Sequence, residues 1–395
     1  MTNSWTSGAT PILSRVDVGI GVINGKMYVV GGCLFSDCRI GTTNQLEIYD
    51  PVANSWSLGA SMVTARYGAT IGVIAGKLYV TGGTQACPPC TTTSTTEIYD
   101  PVANNWTSGA SIPTSTESPA GAVVNGLLYS SGGYEQDSVN NPVGIVQIYD
   151  PVADSWSTGS PMPTARAQAA AGVINGDIYV AGGNPSAGPP LATNESYDPP
   201  TDSWTEQPSM PTARHYAAGS VVNSNLYVIG GNTSNNVPVA ANEEFSLPST
   251  WVQLSPTGGP PSPRFQLAGG HDEATNRMII FGGAGGNISY VPTMLNDTWV
   301  LSDADGIGAP AWTQLAPTGG PPAGREGHSA VYDPVSNSLI IFGGDLAEGS
   351  CFEDANDVWV LQCQRARRHP CMDPAQPNRR PAERERFAYR RVRPD

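Results

Sequence analysis

The sequence predicts an all-β protein in which seven four-stranded antiparallel sheets form one closed ring, a seven-bladed β-propeller. Three observations carry that expectation. A Gly-Gly doublet closes an apolar run seven times, at Gly31-Gly32, Gly82-Gly83, Gly132-Gly133, Gly182-Gly183, Gly230-Gly231, Gly282-Gly283 and Gly343-Gly344. A Trp recurs on the same beat, at Trp5, Trp56, Trp106, Trp156, Trp204, Trp251 and Trp312. The composition is that of a turn-rich β protein, with 45 Gly and 35 Pro among 395 residues and only 14% charged. Self-similarity on this scale marks units that bury their apolar faces only against their neighbours.

Each unit reads as four short strands. In the second unit they are YGATIGVIAG, KLYVTGG, TTEIYDP and NNWTSG. A Gly or Asn turn between the first two suits a tight hairpin. The third and fourth are joined by DPVAN, where Pro fixes φ and Asp and Asn favour the turn. Gly-Gly at the end of the second strand supplies room that a Cβ would obstruct. The phrase EIYDPVANSW (Glu47–Trp56) returns as EIYDPVANNW (Glu97–Trp106) and QIYDPVADSW (Gln147–Trp156). The last block ends near Leu361 without a Trp strand, while one orphan Trp strand, NSWTSG, stands at Asn3–Gly8. Pairing the orphan with the last block completes seven blades and removes the exposed edges. The propeller is expected to occupy residues 1–363, and residues 364–395 to form a disordered Arg- and Pro-rich tail.

The doublet, the Tyr of EIYD and the spaced Trp resemble the kelch repeat, seven times in order, over residues 3–361. The chain is thus similar to kelch β-propellers of the bacterial, secreted type, whose fold is that of the galactose oxidase central domain. The resemblance implies that the first strand of each blade lines a central channel. It also implies that the loops joining strands two to three and four to one share one face. The last two units, with MIIFGG, NDTWVL and NDVWVL, resemble a different kelch subtype from the first five.

Charge is unevenly spread. Residues 1–364 carry ten Arg plus Lys against thirty Asp plus Glu, a net of −20, whereas residues 365–395 carry ten Arg against four acids, a net of +6. An acidic body argues against nucleic-acid binding by the propeller. The tail is a candidate nucleic-acid or membrane-surface arm, set against the plainer reading of a disordered appendage. No apolar run approaches the roughly 18 residues of a membrane span. The N-terminal MTNSWTSGAT lacks the basic and apolar regions of a signal peptide.

Function is expected where the copies differ, on the shared loop face. Six units begin with Arg, at Arg15, Arg66, Arg166, Arg214, Arg264 and Arg325, and Thr116 takes that place in the third. Six converging guanidinium groups would form a cationic ring able to grip carboxylates, and peptide-binding kelch propellers imply the same by analogy. The alternative is that each Arg braces its own loop. Their neighbours vary more, which makes Tyr67, Glu117, His215, Tyr216, Phe265 and Glu326 the candidates for ligand specificity. The loops after the doublets are long, dissimilar and rich in Asn, Ser, Thr and Pro, which suits adaptable hydrogen bonding to a peptide or glycan.

Cysteine and histidine placement bears on compartment and catalysis. Cys33 and Cys38 share one post-doublet loop, Cys87 and Cys90 the next; Cys351 lies in the seventh, and Cys363 follows its third strand. Paired loop cysteines favour disulfides in an oxidising compartment, with zinc as the alternative. The four His form no HxxxH or HExxH pattern. Neither the copper ligands of galactose oxidase nor the iron-binding pattern of plant kelch specifier proteins maps onto the chain. The expected protein is a monomeric, non-catalytic binding module for a protein or glycan, without metal or cofactor, extracellular or at the cell surface. A carbohydrate-active epimerase or oxidase with its site at the channel mouth, and an intracellular interaction scaffold, are the alternatives.

Overall fold

The computed structural model describes residues 4–7, 9–13, 15, 17–34, 41–86, 91–135, 141–234, 237–247, 250–285, 293–304, 309–317, 321–334, 336–348, 351–355 and 357–362. All of them lie in one compact unit, Met1–Gln364. The tail expected at 364–395 falls outside the described residues.

Seven four-stranded antiparallel sheets make up the ring. In blade 2 the strands are Thr70–Ile74, Lys77–Thr81, Thr96–Asp100 and Asn105–Gly109. Ile74 faces Lys77 across the two-residue turn Ala75-Gly76, with φ of 49° and 73°. Positive φ at both central residues is the hairpin turn whose twist matches the flanking strands, which is why Asn-Gly fills the same place in three other blades. First strands of neighbouring blades touch one another from blade 1 through blade 7, so they form the inner wall. The ring closes as the strand count requires. Blade 7 supplies Ser329–Asp333, Ser338–Phe342 and Val358–Gln362. Its outer strand is the N-terminal Ser4–Ser7, with Ser4 opposite Gln362 and Ser7 opposite Trp359.

The doublets stitch blade to blade. Gly32 N donates to Arg66 O at 2.9 Å, Gly83 N to Thr116 O at 2.9 Å and Gly133 N to Arg166 O at 3.0 Å. A Cβ on Gly31 would lie 2.5 Å from Arg66 O, and the doublet φ values run from 60° to 101°. Both the contact and the left-handed backbone demand glycine.

The repeated phrase is a second inter-blade latch. Trp106 Nε1 donates to Ala60 O at 2.5 Å, and Asn104 Oδ1 accepts from Ala60 N at 2.8 Å and from the Tyr99 hydroxyl at 2.7 Å. Asn54, Asp154 and Asp202 serve Ala9, Ala110 and Ser160 in the same way. Asn54 thereby fastens blade 1 to the chain just after the closing strand, helped by Trp56 Nε1 on Ala9 O at 2.7 Å. The apolar core lies between blades. One cluster joins Val30, Leu46 and Met62 to Leu78, Val80 and Tyr99; another joins Met27, Val29 and Tyr49 of blade 1 to Ile340, Phe342 and Val360 of blade 7. Each such side chain contributes about 1.5–3 kcal/mol on burial. No helix among the described residues is long and apolar enough to cross a membrane.

Candidate ligand site at the mouth of the ring

The six arginines are enclosed. None is more than 1% exposed. Arg66 Nη1 donates to Gly82 O at 3.0 Å and Thr95 O at 2.8 Å, and Arg166 Nη1 to Gly182 O at 3.1 Å and Thr193 O at 2.8 Å. Arg15, Arg264 and Arg325 likewise reach the first doublet glycine of their own blades, while Arg214 reaches Val228 O. A carboxylate completes each brace: Glu47, Glu97, Glu195 and Glu243 in blades 1, 2, 4 and 5, Asp297 and Asp357 in blades 6 and 7. Burial pushes the Arg15 guanidinium down to about 10 while Glu47 pulls it back up, so the group stays charged at neutral pH. The cationic ring expected to grip ligand carboxylates is therefore corrected. These donors face inward and serve the fold, as the bracing alternative requires.

Blade 3 shows why the partners belong together. Thr116 replaces the Arg there, and Gln147 replaces the carboxylate. Gln147 bonds both the N–H and the carbonyl of Thr114 at 2.7 Å, so neither change leaves a lone buried charge. Such a charge costs about 3–5 kcal/mol.

Two positions beyond each brace the chain turns left-handed. Asp17, Gly68, Ser118, Gln168, Tyr216, Gln266 and Gly327 all have φ between 48° and 62°. Ser118 N donates to Gly68 O at 2.9 Å, Gln168 N to Ser118 O at 3.2 Å, Tyr216 N to Gln168 O at 3.3 Å and Gly327 N to Gln266 O at 3.1 Å. These bonds run from blade to blade and draw the seven residues into a rim at the head of the inner strands.

Side chains from five blades meet on this rim. Thr84 Oγ1 donates to Glu117 Oε2 at 2.7 Å. The Gln168 amide donates to the Tyr216 hydroxyl and accepts from the Tyr134 hydroxyl at 3.3 Å. Asn184 Nδ2 donates to the Tyr134 oxygen at 2.9 Å, and His215 Nδ1 lies 3.2 Å from Gln168 Oε1. The His215 and Tyr216 rings pack at a tilt of 39° with centroids 4.8 Å apart. Asp17 is solvent-exposed yet ringed by protein, which pushes its carboxyl up to about 6, with Glu117 adding to the shift. Burial and the Glu117 and Asp17 charges push Tyr67 up to about 12, and burial with the same carboxylates raises Tyr216 further. Burial alone lowers His215 and pushes Glu326 up to about 7.

Of the specificity candidates, Tyr67, Glu117, His215 and Tyr216 thus come together. Glu326 occupies the equivalent place in blade 7, and Phe265 is buried at 4% exposure. Sequence reasoning passed over Asp17 and Gln168, which follow the brace position by two residues, and Thr84, Tyr134, Asn184 and Asn232, which directly follow the doublets. The signal was present: both positions vary from blade to blade beside invariant neighbours. Among the cysteines, Cys33 is fully buried. Cys38, Cys87, Cys90 and Cys363 lie outside the described residues, and the Cys351 side chain is likewise not described. No group of three or more His, Cys, Asp or Glu placed to hold a metal occurs among the described residues.

Comparison with known proteins places this ring among relatives. An F-box/kelch-repeat protein of Arabidopsis thaliana is 35% identical over 81 residues, 20% of this chain and 21% of that protein. Kelch-like ECH-associated protein 1A of Danio rerio is 33% identical over 84 residues, 21% and 14% of the two chains. An influenza virus NS1A-binding protein homolog of Mus musculus is 35% identical over 72 residues, 18% and 11%. The matches span about a fifth of those proteins or less, and the three come from a plant and two animals, so the bacterial, secreted subtype draws no support from them. The family model of the Attractin/LZTR1 beta-propeller matches residues 27–249. With the kelch-type doublets, latches and seven closed blades in place, the chain belongs to the Attractin/LZTR1 beta-propeller family.

Proposed function

We propose that the protein is a non-catalytic module that binds a partner protein on the rim. The observation that carries this reading is the meeting of Asp17, Tyr67, Glu117, Tyr134, Gln168, His215 and Tyr216 at one place. The rim side chains differ between most blades, whereas the repeated arginines beneath are each paired with a carboxylate. Two relatives are named for a partner, ECH in one case and NS1A in the other, which supports interaction as the role. The boundary near 363 and the exported location belong to the same proposal. A disulfide at Cys33, which is fully buried beside the first doublet, would suit an oxidising compartment, and free-thiol titration of the native protein tests it; seven free thiols would refute export. For the binding role, a mixed-composition peptide array and a glycan array are probed with the native protein and with Tyr216→Ala/Gln168→Ala. Peptide hits lost in the variant at unchanged melting temperature support the reading. Hits confined to glycans, or peptide hits indifferent to the variant, refute it.

A further inference from the structure

The brace arginines are spent inside the fold, and this leaves the rim with a charge opposite to the one the sequence suggested. Its acidic side chains are Asp17, Glu117 and Glu326; no Arg or Lys stands at any of the seven rim positions or directly before one. Thr84 pairs with Tyr67 through its backbone and donates to Glu117 through its hydroxyl, which sets Tyr67 and Glu117 side by side, and the charges of Asp17 and Glu117 both bear on Tyr67 and Tyr216. Tyr67 and Tyr216 add aromatic rings from blades 2 and 5, Tyr216 being 41% exposed. A carboxylate beside tyrosine faces is the chemistry that holds an ammonium or guanidinium group, by charge-assisted hydrogen bonds and by cation–π attraction.

A second observation points the same way without reference to charge. Two buried side-chain oxygens on the rim and its adjoining post-doublet position have no hydrogen-bond partner among the described residues: Glu326 Oε2, on a residue 8% exposed, and Asn232 Oδ1, on a residue 2% exposed. The Asn232 amide oxygen is an acceptor, and the Glu326 carboxyl is one in its ionised form. Leaving a buried acceptor unsatisfied is costly, and a ligand that satisfies Asn232 must bring a donor. Next to Glu326, a Cβ added to Gly327 would meet nothing within 4 Å, so the rim is open there. The body of the chain, at a net −20 over residues 1–364, would steer a basic partner toward this face.

We propose that the rim is a receptor for a basic peptide segment, seating a lysine or arginine head group between the Asp17 and Glu117 carboxylates and the Tyr67 and Tyr216 rings. This rests on the reading of the rim as a protein-binding site and names the chemistry of the partner. The test uses the full chain and three synthetic ten-residue peptides, lysine-rich, arginine-rich and glutamate-rich, followed by calorimetry at two salt concentrations. Both basic peptides bind, more weakly in high salt, and the acidic peptide does not. Asp17→Asn and Glu117→Gln each weaken the basic peptides about tenfold, the loss expected of one charge-assisted contact. Tyr216→Phe keeps most of the affinity and Tyr216→Leu does not, because the ring face and not the hydroxyl meets the cation. Binding of the acidic peptide in preference, or basic-peptide binding unchanged in Asp17→Asn/Glu117→Gln, overturns the proposal. If basic peptides fail while array peptides still depend on Tyr216 and Gln168, the cation assignment alone is wrong. If no peptide of any kind depends on the rim, both readings fall.

Discussion

In every blade the brace and the rim are two residues apart, yet they treat polar groups in opposite ways. Arg66 is 1% exposed and its guanidinium is taken up by Gly82, Thr95 and Glu97. Two residues on, the seven rim positions carry five different residue types, and no Arg or Lys stands among them. Repetition explains the contrast. A position copied around a ring must be satisfied within its own blade or by the next, so its charge cancels locally. A position free to vary need not cancel, and Asp17, Glu117 and Glu326 stand at or beside the rim positions.

The harshest way to break the repeated layer is to open the ring. Deleting residues 1–9 removes the Ser4–Ser7 strand and the Ala9 contacts of Asn54 and Trp56. It leaves Val358–Gln362 as a bare edge. Thermal melting followed by circular dichroism should fall by on the order of 10 °C or more. An unchanged melt would refute closure by this strand.

Next comes a single brace. Arg66→Ala strands Glu97 as a buried carboxylate and should destabilise the fold by about 3–5 kcal/mol in urea denaturation. Thr116→Ala, at the same place in blade 3, should cost no more than about 1 kcal/mol. Arg66→Thr/Glu97→Gln, which copies the neutral pair of blade 3, should recover much of the loss. If the double variant is as unstable as Arg66→Ala, the two residues are not the coupled unit described above.

The latch is smaller still. Asn104→Ala removes the acceptor of both Ala60 N and the Tyr99 hydroxyl. The expected loss is about 1–2 kcal/mol, with peptide binding at the rim unaltered. A change in binding without a change in stability would mean that the latch and the rim are not separable.

How much of this was legible in the sequence depends on what repeats. Doublets, Trp spacing and the orphan NSWTSG strand gave blade number and closure, because each reflects a backbone requirement met locally. The brace was half legible. Arginine at six equivalent places was plain, but whether it points inward or outward is set by the carboxylate some thirty residues on, and only the paired change to Thr116 and Gln147 betrays that link. The rim was the least legible, since Asp17, Gln168 and Tyr134 are brought together by the ring and share no motif. Their common left-handed backbone is equally hidden, because Asp, Gly, Ser, Gln and Tyr all adopt it here.

The smallest effect has the opposite sign and sharpens the comparison most. The protein surrounding the exposed Asp17 side chain, together with the Glu117 charge, pushes its carboxyl up to about 6, above its ordinary value of 3.8. The folded state therefore holds this proton more tightly than the unfolded chain. The resulting stabilisation is complete below the unfolded value and is lost as pH rises through about 6. Asp17→Asn mimics the neutral form at every pH, so it should match the native protein near pH 4 and melt higher near pH 7.5. Because Asp17 is open to solvent, screening reduces the gain, and about 1–2 °C is expected. Glu117, Tyr67 and Tyr216 face the same region, and the Glu117 charge adds to the shift of Asp17, so Glu117→Gln should lower the native Asp17 value and narrow the pH-dependent gap. A brace carboxylate cannot behave this way, since Glu97→Gln removes the partner of a buried cation and must destabilise at neutral pH. If Asp17→Asn also melts lower at pH 7.5, the rim carboxylate is a structural anion like those beneath it, and the distinction between the two layers fails.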